Sequence, residues 1–100
     1  MSFHKHRLDL SDAARKDLRD ILAYTLLTWG ERQFVDYKNL LDGALHTIER
    51  DPTTGRTRNR SSVRVFPVGR HVIFYRIEQN IVYIIRILHD CMSFDLHLEE

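Results

Sequence analysis

The sequence predicts a two-layer α+β domain in which a helical hairpin packs on an antiparallel sheet, in the order β-α-α-β-β-β. Two observations carry this prediction. Apolar residues recur at helical spacing through the first half of the chain, and three β-branched and aromatic runs fill the second half. Two apolar helix faces need one apolar sheet face, so the elements fit around one core. With 100 residues, the chain is expected to form a single domain over residues 1–100.

The first elements are a short strand and a long helix. The strand is predicted at His6 to Leu10, where leucines alternate with polar residues. Ser11 is a favourable N-cap, because its hydroxyl can accept a hydrogen bond from a backbone N–H of the first helical turn. The helix then runs to Trp29 and ends at Gly30, where glycine suits the conformation that follows a helix.

A second helix is predicted from Glu31 to Arg50, on the evidence of another apolar stripe at helical spacing. The pair Asp51-Pro52 ends it, because the residue before a proline avoids the helical region. Only Gly30 separates the two helices, so they are expected to form an antiparallel hairpin.

The remaining strands are predicted as an antiparallel meander over Val63 to Val68, Val72 to Tyr75 and Ile81 to Leu88. Gly69-Arg70 joins the first two strands, and glycine there tolerates the positive φ of a type II′ turn. Glu78-Gln79-Asn80 joins the last two. The residues expected in the core are Leu18, Ile21, Leu22, Phe34, Tyr37, Leu41, Leu45, Ile73, Tyr75, Ile85 and Ile87.

Composition narrows the possible classes of protein. The strand run Ile81 to Ile85 is far shorter than the ~20 apolar residues of a membrane span, and the N-terminus lacks the apolar segment of a signal peptide. The single cysteine, Cys91, excludes an internal disulfide and fits a reducing cytoplasm. His4 and His6 share a strand face without an evident third ligand, so we expect no metal site. The chain also lacks a glycine-rich phosphate loop, so no cofactor is expected.

Charge is distributed unevenly along the chain, although the net charge is only +1. Six arginines and no acidic residue occur between Pro52 and Ile77, whereas five acids and only Arg86 occur from Glu78 to Glu100. The basic segment is either a solvated loop or a contact surface for an anionic partner, which could be phosphate or an acidic protein segment.

Five pieces of the sequence, taken in order, resemble the ParE toxins of the RelE/ParE superfamily, which belong to type II toxin–antitoxin systems. The pieces are AARKDLRDILAYT with TWG after it, DPTTGR, VRVFPVGRHVIFYR and IIRILHDCM. Together they span nearly the whole chain. The chain departs from the family pattern at Ser93, where relatives commonly have Asp, and at Cys91, where the residue is often basic or small and polar.

The resemblance implies a non-enzymatic toxin that inhibits DNA gyrase and is neutralised by a ParD-like antitoxin in a hetero-oligomer. Contact with operator DNA would then be indirect, through the antitoxin. The residues expected to bind the antitoxin are Leu27, Arg58, Arg60 and Arg64. The residues expected to contact the target are Arg86, His89, Met92 and Ser93.

Two alternatives remain open from the sequence. RelE-like relatives cut mRNA on the ribosome, and here His89 could act as the base with Arg64 and Arg86 as phosphate clamps. The chain has no lysine after Lys38 and no tyrosine after Tyr83, although RelE-like chains use such residues. Arg64 and Arg86 could equally form structural ion pairs with carboxylates instead of binding phosphate. The second alternative is a degenerate toxin that is only an interaction partner of an antitoxin.

Overall fold

The computed structural model describes residues 6–57 and 62–90, and these form two helices packed on a five-stranded sheet. The helices and the 3₁₀ turn between α2 and β2 are α1 (Asp12–Trp29), α2 (Glu31–Arg50) and the turn Pro52–Thr54. The strands are β1 (Arg7–Leu10), β2 (Arg56–Thr57), β3 (Arg64–Val68), β4 (His71–Glu78) and β5 (Ile81–His89). The two-layer α+β prediction and the helical hairpin are confirmed.

The sheet is mixed rather than wholly antiparallel, with the strand order β1-β5-β4-β3-β2. The meander of β3, β4 and β5 is antiparallel as predicted, but β1 lies parallel to β5 at the edge. The first and last strands are separated by the rest of the fold, so no tight turn imposes an antiparallel pairing on them. The short β2 was not predicted, because Arg56 and Thr57 belong to the polar basic loop and carry no apolar pattern.

Local signals explain the ends of the helices. The Ser11 hydroxyl accepts a hydrogen bond from the Ala14 N–H at 2.9 Å, as expected of an N-cap. Gly30 has φ +92° and separates the helices, and its N–H donates to the Leu26 carbonyl at 3.0 Å. Among the described residues, neither helix is long and apolar enough to cross a membrane.

The core lies between the helical hairpin and one face of the sheet. Its buried members are Ala14, Leu41, Ala44, Leu45, Ile48, Val68, Ile73, Tyr75, Val82, Ile84 and Ile87. Of the other residues predicted to be buried, Leu18, Ile21, Leu22 and Tyr37 pack against this cluster with partial exposure. Phe34 and Ile85 are half-exposed and lie outside it, so the prediction was wrong for these two residues.

A β-bulge explains the error at Ile85. Tyr75 pairs with Ile84 whereas Phe74 pairs with Arg86, so Ile85 is an extra residue that reverses the alternation along β5. The Ser11 hydroxyl donates to the Ile85 carbonyl at 2.7 Å. The bulge thus ties the start of α1 to the middle of β5 and places Ile84, rather than Ile85, in the core.

Candidate functional site

A groove of about 620 Å³ opens between the helical hairpin, the β3–β4 turn and the end of β5. We call it the hairpin groove. Its lining residues are Asp20, Ile21, Tyr24, Thr25, Trp29, Gln33, Tyr37, Gly69, Arg70, His71 and His89. The groove therefore combines aromatic walls with imidazole, guanidinium and carboxylate groups, and its volume lies within the range of roughly 300–1,000 Å³ typical of ligand sites.

Two histidines lie on directly opposed positions of β4 and β5 at one end of the groove. The His71 and His89 rings meet edge to face, with their centroids 5.4 Å apart. His71 Nδ1 lies 2.6 Å from the Tyr37 hydroxyl oxygen, so this imidazole has a structural hydrogen bond at the start of β4. Burial, followed by the nearby His89, lowers the pKa of His71 below its usual 6.5, so this imidazole is neutral at neutral pH.

Tyr37 joins α2 to the β3–β4 turn. Its hydroxyl oxygen accepts the Arg70 N–H at 3.0 Å, and the His71 nitrogen is its closest acceptor. Because His71 is neutral, we infer that the Tyr37 O–H donates to Nδ1 and leaves the ring proton on Nε2. Burial raises the pKa of Tyr37, which keeps the phenol protonated for this role. The sequence pattern identified Tyr37 only as a residue of the apolar stripe. It did not reveal that the Tyr37 hydroxyl contacts His71 and Arg70.

Gly69 permits the close approach of that tyrosine. Its φ is +56°, as the predicted Gly69-Arg70 turn requires, and a Cβ there would lie 2.7 Å from both Cε1 and the hydroxyl oxygen of Tyr37. The Asp90 N–H donates to the Arg70 carbonyl at 2.9 Å, so the turn is also fixed to the end of β5. The backbone of Arg70 at the wall of the groove is therefore held by the Tyr37 hydroxyl on one side and by the main chain of Asp90 on the other.

Arg86, predicted to contact the target, is engaged within the fold. Its Nε and Nη2 atoms donate to the two carboxylate oxygens of Asp17 at 2.7 and 2.9 Å. The same carboxylate accepts the Ile87 N–H at 3.0 Å. This pairing raises the pKa of the Arg86 guanidinium. Arg86 and Asp17 thus connect α1 to β5 next to the bulge.

Arg64, predicted to contact an antitoxin, lies at the start of β3. Its Nη1 donates to the Gly55 carbonyl at 2.8 Å. The N–H of the same glycine donates to the Tyr75 hydroxyl, and that hydroxyl donates in turn to the Pro52 carbonyl. The guanidinium is therefore anchored to main-chain oxygen atoms. Leu27 is 86% exposed on α1. Arg58, Arg60, Met92 and Ser93 lie outside the described residues.

Two of the three residues considered for nuclease chemistry, Arg64 and His89, lie far apart in the sheet. In the strand register, Arg64 on β3 lies opposite Tyr75 of β4, and His89 on β5 lies opposite His71 of β4. Arg64 and His89 are therefore offset by four residues along β4. That spacing corresponds to roughly 13 Å. No group of three or more potential metal ligands occurs in residues 6–57 and 62–90.

Comparison with known proteins identifies the family. Residues 8–94 match the family model described as the ParE toxin of the type II toxin–antitoxin system parDE. The chain belongs to the ParE toxin family. One relative of this ParE-family chain is Toxin ParE1 of Caulobacter vibrioides, which is 37% identical over an alignment of 91 residues. The alignment covers 89% of this chain and 94% of the relative.

Solved structures share the fold of this ParE-family chain. The chromosomal ParDE toxin–antitoxin system of P. aeruginosa gives a TM-score of 0.75 at 17% identity, covering 86% of this chain and 97% of the matched chain. The toxin–antitoxin complex RelBE2 of Mycobacterium tuberculosis gives a TM-score of 0.64 at 20% identity, covering 85% of this chain and 98% of the matched chain. The ParE and RelE branches thus share the architecture, so the fold alone does not separate their activities.

Proposed function

We propose that this chain is a toxin that inhibits DNA gyrase in the cytoplasm without enzymatic chemistry of its own, and that a ParD-like antitoxin neutralises it. The observation that carries the proposal is the match to the ParE toxin family over residues 8–94. A relative that matches 89% of the chain, from Caulobacter vibrioides, is named Toxin ParE1.

The engagement of the candidate nuclease residues supports a non-enzymatic mode of action. A cleaving site would need a base, and cationic groups positioned around one phosphate. Arg64 instead donates to a backbone carbonyl and Arg86 forms a two-point ion pair with Asp17. His89 contacts Asp90, with Nδ1 3.1 Å from the carboxylate oxygen.

The end of β5 is the proposed contact with gyrase. His89 is half-exposed there, and Met92 and Ser93 follow in the sequence. Methionine adapts readily to binding surfaces. In this proposal His89 contacts the target, while Arg86, held by Asp17, positions the strand that presents it.

The antitoxin is proposed to cover the exposed side of the helical hairpin. Leu27 supplies apolar surface, and Arg58, Arg60 and Arg64 would face acidic residues of the partner. The P. aeruginosa and M. tuberculosis neighbours are described as toxin–antitoxin systems, which supports a partner of this kind. Contact with operator DNA would occur only through the antitoxin.

Two variants test the proposed gyrase contact in a supercoiling assay. Removal of residues 91–100 should abolish inhibition, provided that circular dichroism shows a folded domain. His89→Ala should weaken inhibition only partly, because the proposal asks no proton transfer of that imidazole. Cleavage of ribosome-bound mRNA by the intact chain, with a rate that falls by about 10²–10⁴-fold in His89→Ala, would instead indicate general acid–base catalysis and contradict the proposal.

A further inference from the structure

We propose that residues 94–98 of this chain pack across the face of the sheet that the helical hairpin leaves uncovered. Phe94, Leu96 and Leu98 would be directed at that face, and Asp95 and His97 at solvent. The occupant of the face is thus a segment of the chain itself, and the proposal depends neither on the target nor on the antitoxin.

The sheet has a second apolar face, which points away from the helices and which we call the outer sheet face. In β4, Ile73 and Tyr75 belong to the core, so Phe74 between them points to the opposite side. Residues at directly opposed positions of neighbouring strands share a face. The strand register therefore adds Val65, Val72 and Leu88 to the outer sheet face.

Two of these side chains are almost inaccessible, although the described helices lie elsewhere. Phe74 is 7% exposed and Leu88 is 3% exposed, and neither belongs to the core cluster. Both helices pack on the core side of the sheet, and the 3₁₀ turn is held on that side by the bond from Tyr75 to the Pro52 carbonyl. The open face of an antiparallel two-layer domain is ordinarily solvated, so burial there indicates a further covering segment.

The burial is confined to one end of the outer sheet face. Leu88 lies two residues before Asp90, where the described part of β5 and its turn ends. Further back on β5, Tyr83 of the same face is only half-buried, and Arg76 opposite it is exposed. The covering segment therefore lies where the chain leaves β5.

The sequence excludes the other two stretches that lie outside the described residues. Residues 58–61 read RNRS and carry no apolar side chain. Residues 1–5 precede β1, in which Arg7 lies opposite Ile81, seven positions before Leu88 on β5. Seven strand positions correspond to about 23 Å. The chain from Arg7 back to Met1 spans at most about 22 Å when fully extended, and it starts one strand away, so it does not cover Leu88.

The remaining segment has the pattern of a strand with one apolar side. Residues 91–100 read CMSFDLHLEE, in which Phe94, Leu96 and Leu98 alternate with polar residues. Once residues 91–93 have reversed the chain direction, five extended residues reach roughly 16 Å, which is enough to cross three strands spaced by about 4.8 Å. Met92 lies in that reversal and stays available for the proposed target contact.

Thiol reactivity provides a direct readout, because Cys91 is the only cysteine and Cys91→Ser yields a thiol-free chain. In this background Leu88→Cys reports on the outer sheet face, Leu27→Cys on an exposed helix position and Ala44→Cys on the hairpin core. The rate of reaction with a small thiol reagent is measured on each full-length chain. We expect the thiol at position 88 to react at least about tenfold more slowly than the thiol at position 27. Val72→Cys is the second reporter for the same face if Leu88→Cys does not fold.

Tail variants assign the protection. The combined substitutions Phe94→Ser, Leu96→Ser and Leu98→Ser should raise the rate at position 88 close to that at position 27, while position 44 stays protected because the hairpin core is intact. The matched control replaces the alternate side chains with Asp95→Ser, His97→Ser and Glu99→Ser, and it should leave position 88 protected. If the apolar triple variant also exposes position 44, the single substitutions Leu96→Ser and His97→Ser repeat the comparison.

The proposal is overturned if the thiol at position 88 reacts as fast as the thiol at position 27 in the chain with an intact tail. Equal effects of the apolar and the polar tail variants would also overturn it. Protection that disappears on dilution would show that a second copy of the chain covers the face, which contradicts the proposal as well. Gyrase inhibition by the same variants is measured separately, and its loss in either tail variant bears on the proposed function alone.

Discussion

Neutralising Asp17 tests whether one carboxylate holds α1 to the bulged strand β5. The side chains of Arg86 and Asp17 are 20% and 13% exposed, so Asp17→Asn leaves a largely buried guanidinium without its counter-charge. Breaking such a pair costs about 3–5 kcal/mol, and the residual exposure favours the lower end, about 3 kcal/mol. For a domain of this size, this corresponds to a fall in Tm of roughly 12–24 °C.

The assay is chemical denaturation followed by circular dichroism, with Asp42→Asn as the matched control. Asp42 also accepts a lysine hydrogen bond, at 2.8 Å from Lys38, but those side chains are 51% and 48% exposed. A surface pair at this helical spacing contributes about 0.3–0.5 kcal/mol. If Asp17→Asn costs less than about 1 kcal/mol, or no more than Asp42→Asn, the reasoning about the α1–β5 connection is refuted.

Three further substitutions probe the core, the turn and the histidine pair. Leu41→Ala should lower the free energy of unfolding by about 2–5 kcal/mol in a denaturant titration, because Leu41 is fully buried, and a loss below about 1 kcal/mol would contradict the hairpin packing. Gly69→Ala should cost about 2 kcal/mol or more, because its φ is positive and Tyr37 occupies the Cβ position, whereas Gly43→Ala, with open space in mid-helix, should stabilise by about 0.5–1 kcal/mol. Equal effects of the two glycine substitutions would refute this account of the turn. The lowered pKa of His71 means that the unfolded chain takes up a proton first as the pH falls below 6.5, so stability should decrease there, and His71→Asn should flatten that decrease in denaturant titrations across this pH range. An identical pH dependence in the variant would exclude His71 as its source.

Periodicity predicted the helices and the meander because each depends on local rules. The helix stripe identifies Leu41 and Leu45 as core residues without any knowledge of the sheet. Ile85 was misplaced because a single inserted residue reverses the alternation of a strand, and nothing in an apolar run such as IVYIIRIL marks where that insertion occurs. The parallel pairing of β1 depends on long-range topology, which a local pattern does not encode.

The candidate site was only partly predictable for the same reason. The roles of His89 and Leu27 stay predictions, and the structure adds only that His89 lines the groove and that Leu27 is exposed on α1. The pairing of Arg86 with Asp17 spans 69 positions of sequence, and the contact of Tyr37 with His71 spans 34. Side chains brought together over such separations carry no sequence signal that a single chain reveals.

The most direct test of the account compares two targets with one preparation of the intact chain. The purified toxin is added to a DNA gyrase supercoiling and cleavage assay, and in parallel to a translation reaction with mRNA mapping. The account predicts loss of supercoiling, accumulation of gyrase-cleaved DNA and intact ribosome-bound mRNA, with all gyrase effects reversed by the antitoxin. Cleavage of ribosome-bound mRNA with gyrase unaffected would contradict it and assign the RelE-like activity instead.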